Sequence, residues 1–220
     1  MRGKLKKVGA FLFLLAITAT VGIIYVSASD VPKLYISDNI TAERGETVTF
    51  DVILEIDKPY VSFGYRIDYD KDSFEYVSID YSNLPPGSIM PIVDNERGAI
   101  AFNYVYPSGT IDYHGTVTTF TFRVKDDAKA GESPIKLSNL QLSDSQYEDT
   151  QLEITSEDGS IFVDVPVQNV SLVQDSFTLE KGTTDNIEID YSPSDTTTAK
   201  NYKFTSNNND IVTVDEDGVM

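Results

Sequence analysis

"GETVTFDVILEIDKPYVSFGYRIDYD", residues 45–70, decides how the rest of the chain is read. Val48, Phe50, Val52, Leu54 and Ile56 alternate with Thr47, Thr49, Asp51, Ile53 and Glu55. A period of two with apolar residues on one side predicts a strand buried on one face and wet on the other. Gly45 opens it and Lys58-Pro59 closes it. In the second half, Val61, Phe63, Tyr65, Ile67 and Tyr69 share one face, and Ser62, Gly64, Arg66 and Asp68 share the other. These are two half-buried strands, neighbours in sequence.

The pattern extends in both directions. "NLPPGS" at 83–88 is a turn, and "NERG" at 95–98 leads into Ile100, Phe102 and Tyr104 on one side with Ala101, Asn103 and Val105 on the other. In "TTFTFRVKDDAKAG", residues 118–131, Thr118, Phe120, Phe122 and Val124 alternate with polar neighbours until two acids, two alanines and a glycine stop the strand. "SPIKLSNLQLSD" at 133–144 reads as a strand pair or one bent strand, and "GSIFVDV" at 159–165 as a closing strand. Short strands about every ten residues, separated by turn residues, predict an all-β antiparallel sandwich.

Composition sets the outer limits. The chain of 220 residues, 40% hydrophobic with 13 Tyr and 11 Phe, can fill one medium-sized core and part of another. Against 17 Lys and Arg stand 35 Asp and Glu, a formal charge of −18, so a phosphate backbone is repelled and nucleic acid is excluded as a partner. Without Cys there is no disulfide and no thiolate metal site.

The N-terminus, "MRGKLKKVGAFLFLLAITATVGIIYVSASD", places Arg2, Lys4, Lys6 and Lys7 before an uncharged stretch that exits through Val26-Ser27-Ala28. Residues 1–28 therefore read as a signal peptide cleaved after Ala28, the other reading being an uncleaved membrane anchor. Its removal takes away four positive charges and no negative ones, which moves the formal charge from −18 to −22. The expected location is outside the cell or on the bacterial surface, with membrane contact only through that segment or a C-terminal anchor.

At Val165-Pro166-Val167 the pattern restarts. "VQNVSLVQDSFTLEKGTTDNIEIDYSPSD" pairs Val170 with Leu172, Phe177 with Leu179 and Ile187 with Ile189. The reading is a boundary near 165 and a second, partial β-sandwich over 166–220.

No catalytic or cofactor site emerges. His114, the single histidine, sits beside Tyr113 and Gly115 as a loop residue with no partner for a dyad. Asp57, Asp70, Asp126 and Asp127 fall at strand ends and in loops. "DEDG" at 215–218 lacks the further ligands and distal Glu of a calcium loop. The chain is expected to be no enzyme and to bind no metal or cofactor.

Several of these stretches, in this order, resemble cohesin domains: "GETVTFDVIL", "FGYRIDYDKDSFEYVSI", the Phe-x-Val strand followed by "VKDDAKAGESPIKL", and "GSIFVDV". The resemblance covers residues 33–164 and implies a jelly-roll β-sandwich. Residues 167–195 and "YKFTSNNNDIVTVDEDG" resemble the group 2 bacterial immunoglobulin-like (BIG2) domain, with Phe204 where that family usually has Trp. The cohesin resemblance implies a module that binds dockerin-bearing proteins and tethers polysaccharide-degrading enzymes in a cellulosome-like assembly, the calcium of such pairs belonging to the dockerin. It further implies a partner face made of Ser62, Gly64, Arg66, Asp94, Ala101, Asn103 and Asn139. Two other readings stay open, a carbohydrate-binding module and a surface adhesin of the same fold. The former presents exposed aromatics to sugar rings; here Phe63, Tyr65, Phe102, Phe120 and Phe122 are expected inward, and Tyr60, Tyr81, Tyr106 and Tyr113 at strand ends or in loops.

Overall fold

The computed structural model describes residues 31–37, 40–144 and 151–220. The expected export segment, 1–28, lies outside the described residues, and among them no helix is long and apolar enough to cross a membrane.

The strands are β1 (Lys33–Ile36), β2 (Ile40–Glu43), β3 (Thr47–Glu55), β4 (Ser62–Asp68), β5 (Phe74–Asp80), β6 (Ser88–Asp94), β7 (Ala99–Val105), β8 (Gly115–Val124), β9 (Gly131–Ser143), β10 (Thr155–Glu157), β11 (Gly159–Asp164), β12 (Asn169–Leu172) and β13 (Ile189–Ser192). One sheet has the order β10-β1-β3-β8-β5, the other β2-β11-β9-β4-β7-β6. Both ends of the sandwich are shared between the sheets: β1 runs parallel to β10 in the first, and β2 parallel to β11 in the second. The fold is an all-β jelly-roll sandwich.

The alternations of the sequence become the two inner faces. Val48, Phe50, Val52 and Leu54 of β3 are buried, as are Phe120, Phe122 and Val124 of β8. Against them lie Phe63, Tyr65 and Ile67 of β4 with Ile100, Phe102 and Tyr104 of β7. Thr118 keeps its place in the inward row at 1% exposure because its hydroxyl meets the buried hydroxyl of Tyr65. A fully buried Phe contributes about 1.5–3 kcal/mol over an exposed one, so this aromatic layer supplies much of the stability.

Turn chemistry fixes the register. After β8, Asp126 accepts a 2.8 Å hydrogen bond from Arg123, and Ala128 N–H closes on the carbonyl of Lys125 at 3.1 Å. Between β6 and β7, Asp94 caps the turn by accepting from the Arg97 N–H at 3.1 Å. Gly98 ends that turn at φ 65°, where an added Cβ would stand 2.3 Å from the carbonyl oxygen of Tyr69. Only glycine satisfies both the left-handed backbone and the close approach.

"SPIKLSNLQLSD" is one bent strand. The β4–β9 pairing shifts between Gly64 and Arg66, and Asn139 sits in the shift at φ 50°. Strand β6, with Pro91 opposite Phe102, forms one edge of the six-stranded sheet, β2 forming the other.

From residue 166 onward the backbone is sparse in regular structure. Strands β12 and β13 pair antiparallel, and Ile187 N–H bonds the carbonyl of Gly218 at 2.9 Å. Val170, Leu172, Val173 and Ile211 are all exposed, and no side chain of 166–220 is buried. Val170 and Leu172 both lie on β12, where all four residues are exposed and no second layer of side chains covers them. The expected pair Phe177 and Leu179 lies outside any strand.

Candidate partner-binding face

Strands β9, β4, β7 and β6 lie side by side, and their registers align outward residues into rows that cross all four strands. One row is Ser143, Ser62, Val105 and Ser88; the next is Gln141, Gly64, Asn103 and Met90. The third is Ser138, Arg66, Ala101 and Ile92, and the fourth Lys136, Asp68, Ala99 and Asp94. Because pleating sends alternate residues to opposite faces, the residues between them, such as Phe63, Tyr65, Phe102 and Tyr104, fill the core.

The expected residues Ser62, Gly64, Arg66, Asp94, Ala101 and Asn103 therefore share one face, and Asn139 projects exposed at the bulge of β9 beside it. Their local roles differ. Arg66 is held along its own strand by Asp68, with Nε donating to Oδ1 at 2.9 Å, while Ser138 Oγ donates to the other oxygen of Asp68 at 3.2 Å. The guanidinium is thus tied to a carboxylate two residues along its own strand. Asp94 pairs with Arg97 at 3.4 Å as well as capping its turn, so much of its carboxylate is already used.

Gly64 acts as a gap. A Cβ there would stand 2.5 Å from Asn103 Oδ1, so the Asn103 amide lies across the place where a side chain would be and Gly64 is buried beneath it. The result is a low, close-packed centre at Gly64, Asn103 and Ala101.

Two apolar residues on this face escaped the sequence reading. Met90 is 61% exposed and Ile92 60% exposed, both on outward positions of β6. The run Ile89-Met90-Pro91-Ile92-Val93 is apolar at every position, so alternation cannot assign its faces; the register with β7 does. With Val105, 43% exposed, they border the polar centre on one side.

A family model, "Cohesin domain", matches residues 34–163. The chain belongs to the cohesin family. The third cohesin of ScaC from Acetivibrio cellulolyticus, solved in complex with the ScaB dockerin, matches with a TM-score of 0.55 at 21% identity over 60% of this chain and 99% of that one. The seventh ScaB type I cohesin from Pseudobacteroides cellulosolvens gives 0.54 at 18% identity over 60% and 92%. The cohesin CaCohA2 from Clostridium acetobutylicum gives 0.51 at 20% over 61% and 91%. At such identities the likeness establishes the cohesin fold. No curated protein matches the chain.

The rest of this cohesin offers other groups less suited to a site. Among the described residues no group of three His, Cys, Asp or Glu side chains could hold a metal ion. Tyr60 is fully buried, and Tyr106 and Tyr113 pack partly buried against the core. Among the described residues the most exposed aromatics, Tyr81, Phe162 and Tyr202, belong to three separate parts of the chain and make no row.

Proposed function

We propose that this cohesin is a non-catalytic module, secreted or displayed on the cell surface, that binds dockerin-bearing proteins and tethers polysaccharide-degrading enzymes. The observation that carries the reading is the outward face of β9-β4-β7-β6 in a chain of the cohesin family. Solved cohesins of the same fold have been captured with dockerins. On this face small and polar side chains let a partner helix approach the backbone closely, and the aliphatic border at Met90, Ile92 and Val105 offers area that loses water on contact. Charges held in pairs, Arg66 with Asp68 and Asp94 with Arg97, set partner choice more than affinity. Residues 1–28 are read as the export signal, and 166–220 as part of a BIG2-like spacer.

The test is calorimetric titration of the chain with dockerins from the same organism, beside a pull-down on insoluble glycans. Binding of a dockerin, lost on Ala101→Arg or Asn103→Asp in variants that still fold, is the expected outcome. Retention on glycan with no dockerin bound would replace this reading with that of a carbohydrate-binding module. Undiminished dockerin binding by both variants would move the site off this face.

A further inference from the structure

The end of the sandwich opposite in sequence to its entry is not left loose. Residues 195–198, "DTTT", fold back on the strand that closes the second sheet. Val165, directly after β11 and 4% exposed, donates its N–H to Thr197 Oγ1 at 2.9 Å and accepts at its carbonyl from Thr197 N–H at 2.8 Å and from Thr196 Oγ1 at 2.7 Å. The Thr197 hydroxyl in turn bonds Asp164, and Val167 N–H donates to Thr198 Oγ1 at 2.9 Å.

A second contact lies across the chain. Arg44, in the turn between β2 and β3, donates through Nε to the carbonyl of Ala128 at 2.8 Å, which fixes its guanidinium against the turn that follows β8. Both remaining nitrogens then meet the carboxylate of Asp195, Nη1 to Oδ1 at 3.3 Å and Nη2 to Oδ2. A two-pronged Arg–carboxylate pair is directional as well as attractive. The Arg44 hydrogen bond holds the Asp195 carboxyl below its ordinary value.

We propose that the rim formed by Arg44, Asp164 and Val165 is a docking surface for the threonine turn 195–198 of the same chain, and that the two contacts close together to lock the C-terminal unit to the sandwich. The ordinary alternative is a flexible linker at 166–168, where each hydrogen bond forms and breaks by itself. Docking instead sets the direction in which the C-terminal unit leaves the sandwich and so the direction in which the outward face of β9-β4-β7-β6 is presented. This inference concerns the chain's own two parts and stands whether or not that face binds a dockerin.

Amide hydrogen exchange on the full chain tests it, because the amides of Val165 and Val167 are not touched by Arg44. If the contacts are coupled, Arg44→Ala and Asp195→Ala each speed exchange at Val165 and Val167 by about tenfold or more, with the amides of β3 and β8 unchanged. In the same samples, ¹⁵N relaxation should give one tumbling time for both units of the parent and a shorter one for the C-terminal unit of the variants. Asp195 lies outside the sandwich, so Asp195→Ala decides the matter if Arg44→Ala fails to fold. Unchanged exchange at Val165 and Val167 in Asp195→Ala, or separate tumbling of the two units in the parent, overturns the proposal.

Discussion

The ring of Phe122 lies 5.4 Å from that of Phe50 with the two planes 7° apart, although the residues face each other diagonally across β3 and β8. Phe50 stacks equally close to Phe120, and Tyr69, just past β4 in the opposite sheet, presents an edge contact to Phe122 at 4.7 Å. Phe122 is thus one of the rings through which the two sheets meet. Replacing it by Ala removes the contact and leaves a cavity that neighbours on two sheets cannot collapse into. Phe122→Ala is expected to cost about 3–5 kcal/mol, read as a shift of the denaturant midpoint. An unchanged midpoint would mean that the ring is not at the centre of the core.

Two buried tyrosines should respond oppositely to loss of a hydroxyl. Tyr65 OH meets Thr118 Oγ1 in the core, whereas the Tyr60 hydroxyl is buried without a hydrogen-bond partner among the described residues. Tyr65→Phe leaves Thr118 unsatisfied and should cost about 1–3 kcal/mol, while Tyr60→Phe removes an uncompensated polar group and should be neutral or stabilising. Equal losses in both variants by thermal denaturation would contradict this placement.

The same tyrosines predict alkaline lability. Burial pushes the Tyr65 hydroxyl far above the ordinary tyrosine value of about 10, and burial, helped by Tyr104, Tyr113 and Asp112, does the same at Tyr60. The folded state holds these protons more tightly than the unfolded state. Their contribution is therefore complete below about pH 10 and is lost as pH rises toward the folded-state values. Unfolding free energy measured by denaturant at rising pH should fall beyond about pH 10, and fall less steeply in Tyr65→Phe. Identical slopes for the two proteins would sink the assignment.

At the candidate face, Ile92→Asp should separate binding from stability. The side chain is 60% exposed, so the fold should change by no more than about 0.5 kcal/mol. An interface that covers it would then hold a desolvated charge, and dockerin affinity should drop by about tenfold or more. Full affinity in Ile92→Asp would exclude β6 from the contact.

Much of this was legible because a period of two survives folding. Phe50, Phe63, Phe102 and Phe122 announce their faces through polar neighbours at every second position. Strand β6 does not, since Met90 and Ile92 look outward while their neighbours Ile89 and Val93 are apolar too. The role of Gly64 was also hidden: the sequence places it on the outward face, and only the geometry shows Asn103 lying over it. The bend in β9 was foreseen as a possibility, but its position at Asn139 depends on pairing with Gly64 and Arg66, which are about 70 residues away and set by long-range register rather than local preference. The contact of Arg44 with Asp195 lies further still beyond any local pattern.

Strand β6 is an apolar outermost strand, the kind of element that fuses sheets between neighbouring molecules. At its middle residue, Pro91, the chain has no amide hydrogen to offer an incoming strand. A strand added at this margin would therefore lack the central rung of its ladder, which disfavours edge-to-edge pairing of neighbouring molecules while leaving the aliphatic side chains of Met90 and Ile92 in place.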